Sequence, residues 1–117
     1  MNVSFEGVNE QVLSFKSATG AAAAVKGKFA AMSDNFTVAV CAKDDVFVGM
    51  CINKADNFAD LMTHGYIECK YSGNTAPQVG YNTLACASAD TVCVADAGRE
   101  VLVLKVDETN KIVGFIM

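Results

Sequence analysis

The chain has one histidine and five cysteines, so a histidine or thiol site is the first chemistry to consider. His64 stands beside Gly65, and the spacing places no nucleophile or acidic partner next to it. The cysteines show no CxxC spacing and each lies in an apolar, strand-like run; they are Cys41, Cys51, Cys69, Cys86 and Cys93. A structural zinc site needs four converging ligands. We therefore predict buried, reduced thiols that pack as small hydrophobic side chains, and no metal or cofactor.

The other polar residues offer no better catalytic set. Asp44 and Asp45, like Asp107 and Glu108, fall in turn-like segments, where solvated acids are common. No serine stands in a GxSxG setting. These observations predict that the chain is not an enzyme and has no catalytic residue. The open alternative is a cysteine- or metal-dependent enzyme, which would bring His64 together with a cysteine and an acid.

Charge and hydropathy restrict the partners. The net charge is -4 and no cluster of lysine or arginine exists, which argues against nucleic acid because a phosphate backbone requires a basic face. No stretch approaches the roughly 18 apolar residues of a membrane-spanning helix. The first residues lack a basic segment followed by an apolar run, so we predict no standard signal peptide.

The composition predicts one domain with apolar residues in excess. The 117 residues are 52% hydrophobic and 19% charged, which is enough apolar material for a core without disulfides. The excess predicts either a dense core or an apolar surface that closes against a partner.

Alternating apolar residues predict strands over most of the second half of the chain. The predicted strands are residues 37–42, 46–52, 66–71, 81–87, 91–95, 100–107 and 112–117. We expect the first two to pair as a hairpin across Lys43, Asp44 and Asp45. Residues 53–64 have apolar residues at helical spacing and predict a short helix or a wide loop. The fold class is therefore all-β, a small barrel or sandwich with one short helix.

The first third of the chain predicts less regular structure. Residues 1–16 read as two short extended pieces or an arm, and the alanine run within residues 17–28 as a loop with a helical turn. We accordingly divide the chain into an arm and small-residue segment, residues 1–35, and a barrel, residues 36–117. The sequence shows no internal repeat.

Three segments of the chain resemble one family of proteins. They are Phe5-Glu6-Gly7 followed by Val12 and Phe15, the segment YSGNTAPQVGYNTL with Gly73, Pro77, Gly80 and Tyr81, and the final REVLVLKVDETNKIVGFIM. Their order resembles the capsid decoration proteins, or cement proteins, of tailed bacteriophages and prophages. The resemblance extends over most of the chain, and residues 55–64 fit it least.

This resemblance implies a structural virion protein, made in the bacterial cytoplasm, that binds the outside of a phage head and bridges subunits of the major capsid protein. It also implies a homo-oligomer, with a trimer favoured, and an N-terminal arm that contacts the capsid. The residues expected to make that contact are Asn2, Val3, Ser4, Phe5, Val12 and Phe15. Deleting residues 1–14 is then expected to abolish capsid binding and leave the barrel folded.

A second function stays open at this point. A small β-barrel on a phage or bacterial surface could bind a glycan or a peptide through its loops. That function predicts a monomer with an exposed aromatic cluster, for instance Tyr66, Tyr71 and Tyr81.

Overall fold

The structure is a computed structural model and describes residues 10–117. Those residues form ten β-strands and one 3-10 turn, at Gly20–Ala22. The strands are β1 Gln11–Ser17, β2 Phe29–Asp34, β3 Thr37–Val40, β4 Gly49–Ala55, β5 Phe58–His64, β6 Tyr66–Tyr71, β7 Gly80–Cys86, β8 Thr91–Val94, β9 Arg99–Asp107 and β10 Ile112–Ile116. The all-β prediction is confirmed. Among these residues no helix has the length and apolar character needed to cross a membrane.

The first five strands, within residues 11–64, close into a small barrel. Their order is β1-β3-β2-β4-β5, and β1 completes the ring by pairing with β5. The β1–β3 pair is parallel, whereas the other four pairs are antiparallel. Every strand has two neighbours in the ring, although β1 meets β3 over only two residue pairs, Lys16–Thr37 and Ser17–Val38.

The last five strands, within residues 66–117, repeat this barrel strand for strand. Their order around the ring is β6-β8-β7-β9-β10, and β6–β8 is again the parallel pair. Even the register matches: Lys16 pairs with Thr37 in the first barrel, and Lys70 pairs with Thr91 in the second. The prediction of no internal repeat is therefore wrong. We call residues 11–64 the first repeat and residues 66–117 the second repeat.

The loop after the first strand is also shared by the two repeats. In the first repeat it contains the alanine run and is bounded by Gly20 and Gly27; in the second it contains Pro77 and is bounded by Gly73 and Gly80. All four glycines have positive φ, from 70° to 113°, a region that residues with a Cβ avoid. The alanine run and the glycine-proline segment are thus the same structural loop in two sequences.

The two barrels share one hydrophobic core. A cluster of buried side chains joins Phe29, Cys41 and Phe47 of the first repeat to Phe115 and other residues of the second. The ring of Phe47 lies 4.8 Å from that of Phe29 and 6.1 Å from that of Phe115, measured between centroids. A smaller cluster around Leu61 fills the first barrel alone. Since the main core takes residues from both repeats, the barrels pack as one unit.

Polar contacts fasten the repeats to each other. The half-buried guanidinium of Arg99, at the start of β9, donates to the carbonyl oxygens of Val48 and Thr63 in the first repeat. Burial lowers the pKa of Arg99 from its ordinary value. Two backbone hydrogen bonds join the repeats nearby, from Asp44 N to Cys86 O at 2.8 Å and from Cys86 N to Asp45 O at 2.9 Å.

Two predictions of local structure are wrong. The predicted hairpin of residues 37–42 and 46–52 does not form, because the loop between them crosses to the second repeat and β2 lies between β3 and β4. The predicted helix or wide loop at residues 53–64 is instead the β4–β5 hairpin. Asp56 turns the chain at φ 50°, and Ala59 and Leu61 alternate toward the core.

The predicted boundary between residues 35 and 36 divides a barrel. It falls in the turn between β2 and β3, which are hydrogen-bonded neighbours. The sequence predicts an arm and a small-residue segment over residues 1–35, because residues 1–16 suggest only short extended pieces and the alanine run follows them. In the structure, β1 and β2 are integral strands of the first barrel.

Candidate functional site

The predicted capsid-contact residues lie only partly within the described chain. Asn2, Val3, Ser4 and Phe5 are outside the described residues, whereas Val12 and Phe15 lie on β1. Val12 pairs with Met62 and is 47% exposed, but Phe15 is half-buried and packs against the core of the first barrel. The structure therefore does not bring these two side chains onto one exposed surface, because residues three apart in a strand face opposite ways.

Leu13 is an exposed residue of β1 that the sequence reasoning missed. It is 43% exposed although it pairs with Leu61, which is fully buried. Ile67 holds the corresponding place in the second repeat and is 4% exposed, so the start of the first barrel is more open than that of the second. Val12 and Leu13 thus make the first half of β1 an exposed apolar segment on both of its faces. Their adjacency in the sequence was the available signal.

The histidine and cysteines do not come together as the enzyme alternative requires. His64 is exposed at the end of β5, where its strand partner is Gln11. Within residues 10–117, no three histidine, cysteine or acidic side chains converge in a way that could hold a metal ion. The catalytic alternative thus gains no support from the arrangement of the described residues.

Four of the five thiols, those of Cys41, Cys51, Cys69 and Cys93, are in environments that raise the thiol pKa and so disfavour the reactive thiolate. The Cys41 thiol hydrogen-bonds to Cys86, and this contact together with burial raises the pKa of Cys41. Burial also raises the pKa of Cys69, to about 12. Cys41, Cys51 and Cys86 are buried as predicted, whereas Cys69 and Cys93 are half-buried. A nucleophilic cysteine requires the opposite shift.

The three tyrosines do not form an exposed cluster. Tyr71 is 4% exposed and belongs to the shared core. Tyr66 is half-buried, and its hydroxyl donates to the carboxylate of Glu68 at 2.9 Å. Tyr81 alone of the three is strongly exposed, at 74%. The aromatic cluster expected of a loop-based binding module is therefore not made by these residues.

Two exposed phenylalanines flank one end of the first barrel. Phe36, in the β2–β3 turn, is 79% exposed and Phe58, at the start of β5, is 57% exposed. Lys16 lies between them at the end of β1: its backbone N–H donates to Phe36 O at 2.8 Å, and its strand partner is Phe58. We call Phe36 and Phe58 the aromatic tip.

A second apolar surface lies at the start of β7. Val79 is 72% exposed and Tyr81 74% exposed. The Asn82 side chain holds the chain just before it in place, since its amide oxygen accepts from Gln78 N and its Nδ2 donates to Gly80 O. Beside Val79 runs an open groove of about 610 Å³, whose other wall is formed by residues 105–108. We call Val79 and Tyr81 the β7 platform.

Two of the charged groups around the groove, Asp107 and Lys105, are engaged within the chain. Asp107 accepts hydrogen bonds from the side chain and backbone of Asn110, which lower the pKa of Asp107. Lys105 pairs with Glu68 at 3.2 Å. With no histidine, cysteine, serine or threonine in its wall, the groove has the chemistry of a contact surface rather than a reaction site.

Comparison with known proteins identifies no relative. No protein-family model matches this chain, and no curated protein or solved structure is significantly similar to it.

Proposed function

We propose that this protein is a structural virion protein that binds the outer surface of a phage capsid and stabilises the head by bridging coat subunits. The observation that carries the proposal is the ordered resemblance of three segments to capsid decoration proteins, around Phe5, Gly73 to Tyr81, and the C-terminal β9–β10 hairpin. A small all-β unit agrees with this function. The net charge of -4 also suits a protein that faces solvent rather than packaged DNA.

The exposed first half of β1 is the part of the proposed capsid contact that lies within the described residues. Val12 and Leu13 follow directly on the arm residues, so an extended arm that added a strand to a coat-protein sheet would continue into an apolar segment. Backbone hydrogen bonds would supply affinity and the apolar side chains specificity. Many symmetric copies on one head would turn a modest contact into strong attachment.

The arm must be tested with a shorter deletion than residues 1–14. That deletion would remove Gln11 to Ser14 from β1, which pairs with β5 along this length and closes the barrel. It would therefore unfold the first repeat instead of leaving the barrel intact. Deleting residues 1–9 leaves every described strand in place.

The test is co-sedimentation with expanded heads of the phage or prophage that encodes the chain. We expect the full chain to pellet with the heads, and both the chain lacking residues 1–9 and the double variant V12S/L13S to stay in the supernatant. V94S, which alters a 37% exposed valine on β8, is the matched control and should pellet normally. A full chain that ignores the heads overturns the proposal; normal pelleting of the truncated chain overturns the role of the arm.

The groove beside Val79 favours a second candidate function, the binding of a peptide or glycan by a β-barrel module. Exposed Tyr81 and Val79 next to an open groove offer the stacking and apolar contacts that such ligands use. Screening the full chain and Y81S on peptide and glycan arrays tests it. Binding that Y81S abolishes, in a chain that does not pellet with heads, would replace the capsid proposal.

A further inference from the structure

Two cysteines from different repeats meet where the barrels pack on each other. Cys41 follows β3 in the first repeat, and Cys86 ends β7 in the second. Their side chains are 4% and 0% exposed and belong to the shared core, and the Cys41 thiol hydrogen-bonds to Cys86. Both thiols are free in the structure. Two thiols in contact, one from each half of the chain, are the arrangement from which a disulfide between the repeats would form.

A tight turn fixes the position of Cys41 relative to Cys86. Asp45 N donates to Ala42 O at 3.2 Å, and Ala42 N donates to the Asp45 carboxylate at 2.8 Å, so the chain turns directly after Cys41. Both backbone polar groups of Cys86 bind to this turn: Cys86 O accepts from Asp44 N, and Cys86 N donates to Asp45 O. The backbones that carry the two thiols are therefore held together by hydrogen bonds that do not involve the thiols.

The strand order favours Cys41 over the other cysteines of the second repeat as the partner of Cys86. Cys93 on β8 is the Cα partner of Ala85. Since neighbouring residues of a strand point to opposite faces of the sheet, Cys93 shares its face with Ala85 and not with Cys86. Cys69 lies on β6, and β8 separates that strand from β7. The thiol placed to bond with Cys86 is thus that of Cys41.

We propose that Cys41 and Cys86 form a reversible disulfide, which joins the two repeats covalently when the protein meets a small disulfide such as oxidised glutathione. One protein thiolate attacks the small disulfide, breaks its S–S bond and releases one thiol. The second protein sulfur then displaces the other half of the small molecule from this mixed disulfide. The protein loses two electrons and two protons, and the small disulfide leaves as two thiols. The inference goes beyond the capsid proposal and does not depend on it.

Burial makes this exchange depend on opening of the contact between the repeats. The attacking species is the thiolate, and the hydrogen bond to Cys86 together with burial raises the pKa of Cys41. A small disulfide also needs access to side chains that the closed contact covers. Attack therefore takes place while the contact is transiently open, and reclosure brings the second thiol to the mixed disulfide. The reaction should be slow in the folded protein and should accelerate in urea below the unfolding transition.

The disulfide should stabilise the protein against unfolding. It would link residues that are far apart in the chain, so it restricts the unfolded chain more than a short loop closure does. We expect the oxidised chain to melt about 10 °C above the reduced chain. The thiol redox state would then determine how firmly the two barrels hold together.

The test incubates the full chain with mixtures of reduced and oxidised glutathione, stops the exchange with acid and alkylates the remaining thiols before mass spectrometry. Of the five cysteines, we expect five to be alkylated in the reduced chain and three in the oxidised chain. Proteolysis should then give one cross-linked peptide pair, which contains Cys41 and Cys86. C41A and C86A should not form the bond. C51A, which removes a fully buried thiol of the smaller cluster, is the matched control and should form it.

The pairing in the wild type decides the inference even if a variant fails to fold. A bond that maps to Cys69 or Cys93, glutathione adducts without an internal bond, or five alkylated thiols at every glutathione ratio overturns it. Oxidation in concentrated urea should give several pairings, and the same mixture from the folded protein would show that the fold does not select the pair. Equal melting temperatures of the oxidised and reduced chains would overturn the stabilising role of the bond.

Discussion

Phe36 combines an exposed aromatic ring with a left-handed backbone, so its substitution should change the free energy of unfolding through the backbone and not through lost packing. Asparagine tolerates positive φ far better than phenylalanine does. We therefore expect F36N to raise the free energy of unfolding by about 1 kcal/mol, measured by urea denaturation at a protein concentration too low for association.

Phe58 supplies the control for that prediction. It is also exposed, but it lies in the regular strand β5 and is not among the residues with positive φ. F58N should lower the free energy of unfolding by up to about 1 kcal/mol, because asparagine fits a strand poorly. If F36N and F58N change the free energy of unfolding by the same amount, the left-handed backbone of Phe36 does not contribute to the effect of F36N.

Asp90 makes the stability of the contact between repeats depend on pH. Hydrogen bonds from Lys28, Ser88 and Thr91 lower the pKa of Asp90 from 3.8 to about 2. Because the pKa of Asp90 is lower in the folded chain than in the unfolded chain, the ionised carboxylate stabilises the fold at pH values above the unfolded pKa. This stabilisation is lost as the pH falls from about 4 toward 2. The carboxylate is exposed, so the effect should be small and reduced by salt.

The measurement for Asp90 is the free energy of unfolding of the wild type and D90N from pH 6 to pH 2. Their difference should be constant above about pH 4 and shrink below it. A difference that does not change with pH would show that this carboxylate is not linked to folding.

The matched loops of the two repeats provide a prediction at the scale of elements. Gly27 lies two residues before β2 and Gly80 is the first residue of β7; their φ angles are 84° and 113°, and open space surrounds the position where either would carry a Cβ. Alanine at either place should therefore cost about 1 kcal/mol or more through backbone strain alone. Denaturation of G27A and G80A measures this, with S33A, an exposed substitution on β2, as the near-neutral control.

The strands were predictable from the sequence, but the repetition of the barrel was not. Thr37 to Val40 reads TVAV and Thr91 to Val94 reads TVCV, yet little else of the two repeats aligns by eye. The β3–β4 connection is longer than the β8–β9 connection and the β4–β5 turn is shorter than the β9–β10 turn, which breaks a fixed sequence period. What repeats is the hydrogen-bond register, and single-sequence periodicity does not report register.

Local sequence patterns also gave wrong predictions of secondary structure where contacts between residues far apart in the chain determine it. Phe58, Leu61 and Met62 have helical spacing, but residues 58–64 form a strand because they pair with β1 on one side and β4 on the other. The loop after Cys41 looked like a hairpin turn because its partner, Cys86, is far along the chain. For the candidate site, the sequence predicted capsid contacts at Val12 and Phe15, of which only Val12 is exposed, whereas the exposure of Leu13, Phe36 and the β7 platform required the fold.

At the scale of the whole molecule, Arg99 determines how firmly the repeats are joined. R99M removes the donors to Val48 O and Thr63 O and leaves two half-buried carbonyl groups without these partners. We expect a loss of about 2–3 kcal/mol in the free energy of unfolding. R99K keeps the charge but not the forked geometry and should lose less than R99M.

Urea denaturation of R99M also reports cooperativity. If the repeats begin to unfold separately, the dependence of the unfolding free energy on urea becomes shallower than in the wild type. A stability within a few tenths of a kcal/mol of the wild type would show that the hydrogen bonds of Arg99 are not needed to join the repeats.

The shared core has a consequence for the origin of the molecule. Phe29 and Phe47 are buried in a cluster that includes Phe115 of the second repeat, so a chain of a single repeat would expose more of them unless it met another copy of itself. Gene duplication would then have replaced an encounter between molecules with a covalent tether, raising the effective concentration of one half for the other.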